Sequence, residues 1–234
     1  DIPWEFIGKV FDVMAATPWH TYQVLTKRPG RMAYFAEKVW PQQGGLWEPI
    51  EWTFPSRARV MDKWPGTAWP ANVWAGASVE SQKYAPRLDC LARVPAKVRF
   101  VSVEPLLEPV DLSRWLLGGV DMTEWTWRNE GPSLIDWCIV GGESGPGARP
   151  MDLAWARDLL VQCKSAGLPF FMKQVGTRPL WNGEGDVPPE HIYLERLNGN
   201  QWQLDLLRDR KGGDPQDWPE DLRVREMPQA AGGS

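Results

Sequence analysis

The stretch from residue 135 to residue 150 constrains the fold of this chain more than any other part of its sequence. It begins with an apolar run of β-branched and aromatic residues and changes at Gly141 into a loop with four glycines, Glu143 and Ser144. Such a run is typical of a buried strand, and glycines allow close approach of the backbone. Residues 151–167 then carry apolar side chains at helical spacing and end in a glycine. The stretch therefore predicts a strand, a loop and a helix.

The same unit recurs along the chain. Strands are predicted in the five segments 21–26, 72–80, 97–105, 135–141 and 169–176, and helical segments precede the first strand and separate the others. Strands that alternate with helices predict a parallel sheet of βα units. A barrel and an open doubly wound sheet are both built in this way, so the alternation alone leaves the two open.

The order of side chains within the strands favours the barrel. In the second and third predicted strands one face carries small, aromatic or polar residues and the other carries aliphatic residues, as a barrel interior and exterior require. The first kind of face holds Gly76, Ser78, Glu80, Phe100, Ser102 and Glu104. The predicted fold class is therefore α/β, a parallel βα repeat that forms part of a TIM-like barrel, with an open sheet as the alternative.

Composition shifts divide the chain. Residues 1–176 are predicted to form the partial barrel, interrupted by two insertions rich in Trp at about 40–70 and 118–133. Residues 177–210 predict a small β-rich extension of hairpins, and residues 211–234 predict a largely irregular tail. The 16 Trp residues are interpreted as aromatic plugs under the insertions, with a stacking surface for sugars or bases as the alternative.

Bulk properties exclude several classes of protein. A net charge of -4 supplies no overall attraction to nucleic acid or to an anionic membrane, and no apolar stretch reaches the roughly 20 residues that span a bilayer. A cytoplasmic protein without membrane contact is therefore expected. Cys90, Cys138 and Cys163 lack metal-ligand spacing, and the two histidines are far apart. We expect buried cysteines and no metal site within this chain.

Polar residues collect where the predicted strands end. These residues are Lys27, Arg28, Ser78, Glu80, Glu104, Glu143, Ser144, Lys173 and Gln174. One such residue is often a solvated charge or a helix-cap neighbour, but the recurrence in every unit predicts a charge-balanced pocket for a zwitterionic or phosphate-bearing ligand. The glycine-rich loop has neither P-loop nor dinucleotide-fold spacing, so it is either a phosphate cradle or a tight turn.

Five ordered motifs also resemble a known family. They are Leu25–Pro29, Gly76–Glu80, Arg99–Leu106, Ile139–Gly145 with Ala148–Pro150, and Phe170–Gln174. Together they look like the motifs of the phage-associated gene-product thirty-seven/sixty-eight family, whose uncharacterised members resemble radical-SAM barrels. The resemblance covers roughly residues 1–176 apart from the two insertions.

The resemblance implies S-adenosylmethionine and an iron–sulfur cluster, the latter held by three cysteines in an amino-terminal portion of the family. This chain is expected to start after that portion and to hold no iron by itself. The amino-terminal edge of the sheet is expected to be open or covered by a partner chain.

The resemblance also suggests roles for the residues of the pocket. The residues expected to act in catalysis are Glu80, Glu104, Glu143 and Lys173. The residues expected to contact the cofactor are Gly141, Gly142, Ser144 and Gly145. The residues expected to contact a small-molecule or nucleic-acid-derived substrate are Lys27, Arg28, Ser78, Arg149 and Gln174.

Two functions of another class stay open. One is a carboxylate-pair hydrolase, such as a glycosidase with Glu104 and Glu143 as acid and nucleophile. The other is a binding module without catalysis. An upstream cysteine trio would favour the radical enzyme, and a carboxylate spacing of roughly 5 to 9 Å across an open groove would favour the hydrolase.

Overall fold

The longest helices described by this computed structural model have 13 residues each. The structure describes residues 2–40, 69–116, 119–121, 126–128, 133–190, 192–205 and 209–228. The helices are α1 (Trp4–Ala16), α2 (Pro29–Tyr34), α3 (Arg87–Leu91), α4 (Ser113–Leu116) and α5 (Leu153–Ser165), and a π-helical turn (Phe35–Val39) continues α2. Single 3-10 turns occupy Gln82–Tyr84, Pro215–Asp217 and Glu220–Leu222. The helical segment predicted between the second and third strands is split into the turn Gln82–Tyr84 and α3, because Pro86, which has no amide hydrogen to donate, stands just before α3.

Five parallel strands form the central sheet. The strands of the chain are β1 (Tyr22–Thr26), β2 (Val73–Ser78), β3 (Arg99–Val103), β4 (Gly119–Asp121), β5 (Thr126–Arg128), β6 (Trp137–Gly141), β7 (Met151–Asp152), β8 (Phe170–Gln174), β9 (Pro179–Trp181), β10 (Tyr193–Asn198) and β11 (Gln201–Asp205). The central sheet has the order β1-β2-β3-β6-β8. The prediction of five parallel, adjacent strands is therefore confirmed.

The two faces of the central sheet differ as the sequence predicts. The face that packs on the helices carries aliphatic residues such as Ala75, Val101 and Val140, which belong to the main core. The other face, called the inner face below, carries a separate cluster of aromatic and aliphatic residues. That cluster consists of Trp74, Val98, Phe100, Trp137 and Ile139, with Phe171 packed against it.

A glycine on β2 makes room for a side chain of the neighbouring strand. Gly76 pairs with Phe100 of β3, and a β-carbon on Gly76 would lie 2.2 Å from the Phe100 ring. No side chain larger than hydrogen fits beneath that ring. The Phe100 ring therefore leans from β3 over β2, and it fills the space that the missing side chain leaves.

The central sheet does not close into a barrel within the described residues. The outer edge of β8 is occupied by residues 224–226, where the amide of Met172 donates to the Val224 carbonyl and the amide of Glu226 donates to the Phe170 carbonyl. At the opposite end of the sheet, no described strand pairs with the outer edge of β1. The observed fold is thus an α/β fold with one parallel sheet.

A second, mixed sheet follows the central one along the chain. Its order is β10-β11-β9-β7, and β10 and β11 form a hairpin around Gly199 as the sequence predicts. Strand β7, which follows the glycine-rich loop, pairs with β9 and so belongs to this second sheet. The chain therefore passes directly from the loop into the second sheet.

The Trp-rich insertions lie mostly outside the described residues. At the ends of the first insertion, Trp40 and Trp69 are buried and pack against Phe11, as aromatic plugs would. Cys138 and Cys163 are fully buried, whereas Cys90 is only half-buried. Among the helices that the structure describes, none is long and apolar enough to cross a membrane.

Candidate ligand-binding site

The predicted polar residues share one edge of the central sheet. All five strands run parallel, so their carboxyl ends meet on one side. Glu80, Glu104 and Glu143 follow the ends of β2, β3 and β6 on that side, and Lys27 follows the end of β1. Lys173 is the next-to-last residue of β8 and lies on the same side. We call this side the carboxyl edge.

Glu80 is a buried carboxylate with two cationic partners. Its Oε1 lies 2.5 Å from Lys27 Nζ and its Oε2 lies 2.8 Å from Arg87 Nη1. Burial raises the pKa of Glu80 and is the largest single influence, but the bonds from Lys27 and Arg87 together outweigh it and hold the pKa below its ordinary value. Lys27 is exposed, with 65% of its side-chain surface accessible against 8% for Glu80. Glu80 would therefore keep one cationic partner if Lys27 turned to a ligand.

Arg87 is fixed by further contacts. It donates a second hydrogen bond of 2.7 Å to the Ser78 carbonyl, and its guanidinium lies 4.1 Å from the centre of the Tyr84 ring. Arg87 was not predicted as a site residue, because it comes from α3 and no spacing rule links that helix to a strand end. Ser78 itself is buried on the inner face.

Glu104 holds a cation from a strand that is not its neighbour. Its carboxylate accepts a 3.0 Å hydrogen bond from Ser102 Oγ and lies 3.2 Å from Lys173 Nζ. Strand β6 runs between β3 and β8, and it presents Gly141 at this level. A β-carbon on Gly141 would lie 2.6 Å from Glu104 Oε1. The pair thus crosses β6 because that strand has no side chain there.

Glu143 is engaged on both oxygens by one arginine. Arg149 donates to it from Nε at 2.8 Å and from Nη2 at 2.9 Å, and the Arg149 amide donates a third bond of 2.8 Å. These bonds lower the pKa of Glu143 to about 2. Glu143 in turn raises the pKa of Arg149, and Glu80 adds a smaller contribution in the same direction. The two acidic residues therefore act on the same guanidinium.

The glycine-rich loop is tied to the segment after β8. The Gly142 amide donates to the Gln174 carbonyl, and Gln174 Nε2 donates to the Gly142 carbonyl at 2.8 Å. A β-carbon on Gly142 would lie 2.4 Å from the Val175 carbonyl oxygen. The Gly145 amide donates to Thr177 Oγ1, which the sequence did not indicate. These contacts fit the tight-turn interpretation of the loop, and cofactor contact by its glycines stays a prediction.

Two other predicted residues lie on the rim of the carboxyl edge. Arg28 is exposed and stands just before α2, and Ser144 is exposed within the glycine-rich loop. Their predicted parts in substrate and cofactor binding stay predictions.

A cavity of about 900 Å³ lies at the opposite edge of the central sheet. Its walls include Lys97, Asp136, Lys164 and Glu226, and none of the predicted site residues lines it. We place the candidate site at the carboxyl edge nevertheless, because Glu80, Glu104 and Glu143 are paired with cations there and ligands of parallel α/β folds bind at that edge. In the described part of the chain, no three His, Cys, Asp or Glu residues come together as a metal would require.

Comparison with protein families gives a match over most of the chain. A family model with the description "Protein of unknown function (DUF5131)" matches residues 1–208. No curated protein matches the chain, and no solved structure matches it.

Proposed function

We propose a function from the premise that this chain belongs to the DUF5131 family of proteins of unknown function. The chain would form the carboxyl-terminal arc of a radical-SAM-like barrel, of the kind that the phage-associated gene products resemble. Its carboxyl edge would bind S-adenosylmethionine together with a nucleic-acid-derived substrate. The paired carboxylates and lysines of that edge are the observation that carries the proposal.

The strand order supports an arc of a barrel. Strands β1, β2, β3, β6 and β8 lie side by side in the order of the chain. A doubly wound sheet reverses its strand order at a switch point, whereas the strands of a barrel follow one another around the axis. The inner face supports the arc as well, because it changes from aromatic residues to charged residues toward the carboxyl edge.

The donor set of the carboxyl edge fits the amino-acid end of S-adenosylmethionine. An ammonium group suits Glu104 or Glu80, and a carboxylate suits Lys27 or Lys173. Both lysines are more than half exposed while their acidic partners are largely buried. The lysines can therefore turn to a ligand while the carboxylates stay in place. When bound, S-adenosylmethionine supplies a sulfonium whose carbon–sulfur bonds can be cleaved.

The described residues do not fit an iron–sulfur cluster. Cluster ligands are closely spaced thiolates. The three cysteines are not such a set, and a hydrogen bond with Cys163 together with burial raises the pKa of Cys138 well above its ordinary value. We therefore derive no step through a cluster for these residues.

The hydrolase alternative receives less support from the geometry. A glycosidase needs one carboxyl group that holds a proton and one free carboxylate. Glu143 has a pKa of about 2 and both of its oxygens accept bonds from Arg149. Glu143 is thus a poor acid and an encumbered nucleophile. A binding module without catalysis would use the same edge, and only an activity assay separates it from the enzyme.

Calorimetric titration with S-adenosylhomocysteine, a stable analogue, tests the proposed ligand. We expect the chain to bind it, and we expect the variant E104Q/K173M to lose about tenfold or more in affinity, because two charged hydrogen-bonding groups are lost. The matched control is E5Q/K9M, which removes an exposed Glu–Lys pair on α1. No binding by the chain, or equal binding by E104Q/K173M, would reject the proposal.

The radical chemistry is tested on the longest reading frame that contains this sequence. Iron, sulfide and 5′-deoxyadenosine are measured under anaerobic reducing conditions for that protein and for the chain alone. We expect all three only in the longer protein. Ligand binding without any 5′-deoxyadenosine from either protein would leave the binding module as the function.

A further inference from the structure

Strand β8 contains an irregularity at the residue that reaches the candidate site. Val140 of β6 pairs with Met172, but the next residue, Gly141, pairs with Gln174. Lys173 is therefore an additional residue on β8, as in a β-bulge. Bulges redirect a side chain and leave backbone groups without a partner in the ladder.

One arginine binds the backbone at this irregularity. Arg225 donates from Nε to the Met172 carbonyl at 3.1 Å and from Nη2 to the Lys173 carbonyl at 3.0 Å. The same Nη2 donates to the Gly213 carbonyl at 3.1 Å. A planar guanidinium can hold several acceptors in a fixed arrangement, which a lysine cannot do. Arg225 thus fastens the bulge on the side away from β6.

Arg225 belongs to a segment that covers β8, here called the strap and defined as residues 209–228. The strap is anchored by Trp218 and Leu222, which are fully buried. The guanidinium of Arg225 lies 4.9 Å from the centre of the Trp218 ring and 5.5 Å from that of Phe171. The arginine is therefore held between the strap and the inner face of the sheet. The family match ends at residue 208, so the strap lies beyond it.

We infer that Arg225 is a positioning residue, which fixes the bulge at Lys173 and so directs the lysine across Gly141 to Glu104. The side chain of Lys173 must span β6 to make this pair, so its reach depends on where the bulge places its α-carbon. Arg225 touches neither Glu104 nor the Lys173 ammonium. It acts through the two carbonyls that flank the bulge.

The test follows the lysine itself in the full chain. Reductive methylation with ¹³C-formaldehyde labels lysine side chains and keeps their charge, and the Lys173 signal is identified by its absence in K173R. In E104Q, which removes the partner, the signal should move to the position of solvated lysines. In R225Q it should move at least half of that distance. R223Q is the matched control, because Arg223 donates only to strap carbonyls, those of Trp218 and Gln216.

Folding of each variant is checked by near-ultraviolet circular dichroism. If R225Q does not fold, R225K is used to test the inference in its place. R225K keeps the positive charge between the rings but loses the fork that spans both carbonyls, so the Lys173 signal should still move. A signal that stays at its wild-type position in folded R225Q or R225K would overturn the inference. An equal movement in R223Q would also overturn it, since the effect would then belong to the strap in general.

The consequence for ligand binding rests on the proposed function. If S-adenosylhomocysteine binds, R225Q should weaken binding about tenfold through the misplaced lysine, and R223Q should leave it unchanged. Movement of the Lys173 signal in a protein that binds no S-adenosylhomocysteine would uphold the positioning role and reject the proposed ligand. Binding of S-adenosylhomocysteine together with a Lys173 signal that does not move in R225Q would uphold the proposed ligand and reject the positioning role.

Discussion

The ammonium nitrogen of Lys173 lies 3.2 Å from Oε1 of Glu104, although strand β6 separates the strands to which the two residues belong. The contact is made over Gly141, the β6 residue at the same level. The Glu104–Lys173 pair is thus possible only because a third residue, Gly141, has no side chain. The first prediction concerns that third residue.

Replacing Gly141 by Ala should break the Glu104–Lys173 pair and destabilise the protein. The added methyl group would lie 2.6 Å from Glu104 Oε1, so the carboxylate or the strand must move. We expect a loss of about 0.5–1 kcal/mol in the free energy of unfolding, measured by urea denaturation, because the carboxylate can turn aside and chiefly the ion pair is lost. Gly30→Ala is the control, because its methyl group would meet only Cys90 Sγ at an ordinary 3.6 Å. Equal stability of G141A and wild type would contradict the described packing.

Replacing Gly76 by Ala should lower the free energy of unfolding because of a steric clash, and a second substitution should restore part of the loss. The methyl group would overlap the Phe100 ring, and we expect a loss of about 1–3 kcal/mol. Replacing the Phe100 ring by the smaller leucine side chain in G76A/F100L should recover part of that loss, because the side chains at the two positions share one space. The coupling between the two changes is measured by a double-mutant cycle of urea denaturation curves. Strictly additive losses would show that the ring does not lie over Gly76.

Asp12 on α1 should make stability fall as pH rises. Burial raises its pKa to about 6 from an ordinary value of 3.8. Below about 3.8 both the folded and the unfolded state hold the proton, so there is no penalty. Between 3.8 and 6 the unfolded state loses its proton first and stability decreases, and above 6 the penalty is complete.

D12N should therefore stabilise the protein at pH 7.5 more than at pH 4. The measurement is the free energy of unfolding of both proteins at the two pH values. D158N, which changes an exposed aspartate on α5, serves as the control. An effect of D12N that is the same at both pH values would show that Asp12 ionises normally in the folded protein.

Removing Arg149 should raise the pKa of Glu143 from about 2 toward its ordinary value of 4.5. A lowered pKa in the folded state stabilises the protein above the ordinary value, and that contribution is lost as pH falls from about 4.5 to about 2. In R149M this part of the acid sensitivity should disappear. Carbon-13 NMR titration of the Glu143 carboxyl group measures the change, with R178M as control. A wild-type titration near 4.5 would contradict the bidentate pair.

The sequence was sufficient to predict the sheet and the side of it that carries the charged residues. Alternating apolar runs and helices predicted five parallel strands, and parallel strands place their ends together. The alternation of Phe100, Ser102 and Glu104 with aliphatic residues likewise predicted the inner face. These inferences depend on local periodicity and on chain connectivity, which a single sequence contains.

The partners of the charged residues could not be predicted in the same way. Arg87 reaches Glu80 from a helix, and Arg225 reaches β8 from a segment that was predicted to be largely irregular. Both contacts depend on the directions that long side chains take once the helices and strands have packed. The apolar residues Trp218 and Leu222, both buried, were the sequence signal that the strap is packed against the protein. They stand among prolines and charged residues without the period of a helix or a strand, so the periodicity of the sequence did not reveal the strap.

The covered edge of β8 determines how copies of this protein could polymerise. Indefinite sheet growth requires the β1 edge of one copy to pair with the β8 edge of the next, and residues 224–226 already occupy the latter. Pairing through two β1 edges, in contrast, is symmetric and ends with two copies. Edge-to-edge association through the described part of the central sheet would therefore stop at a pair instead of continuing into a fibre.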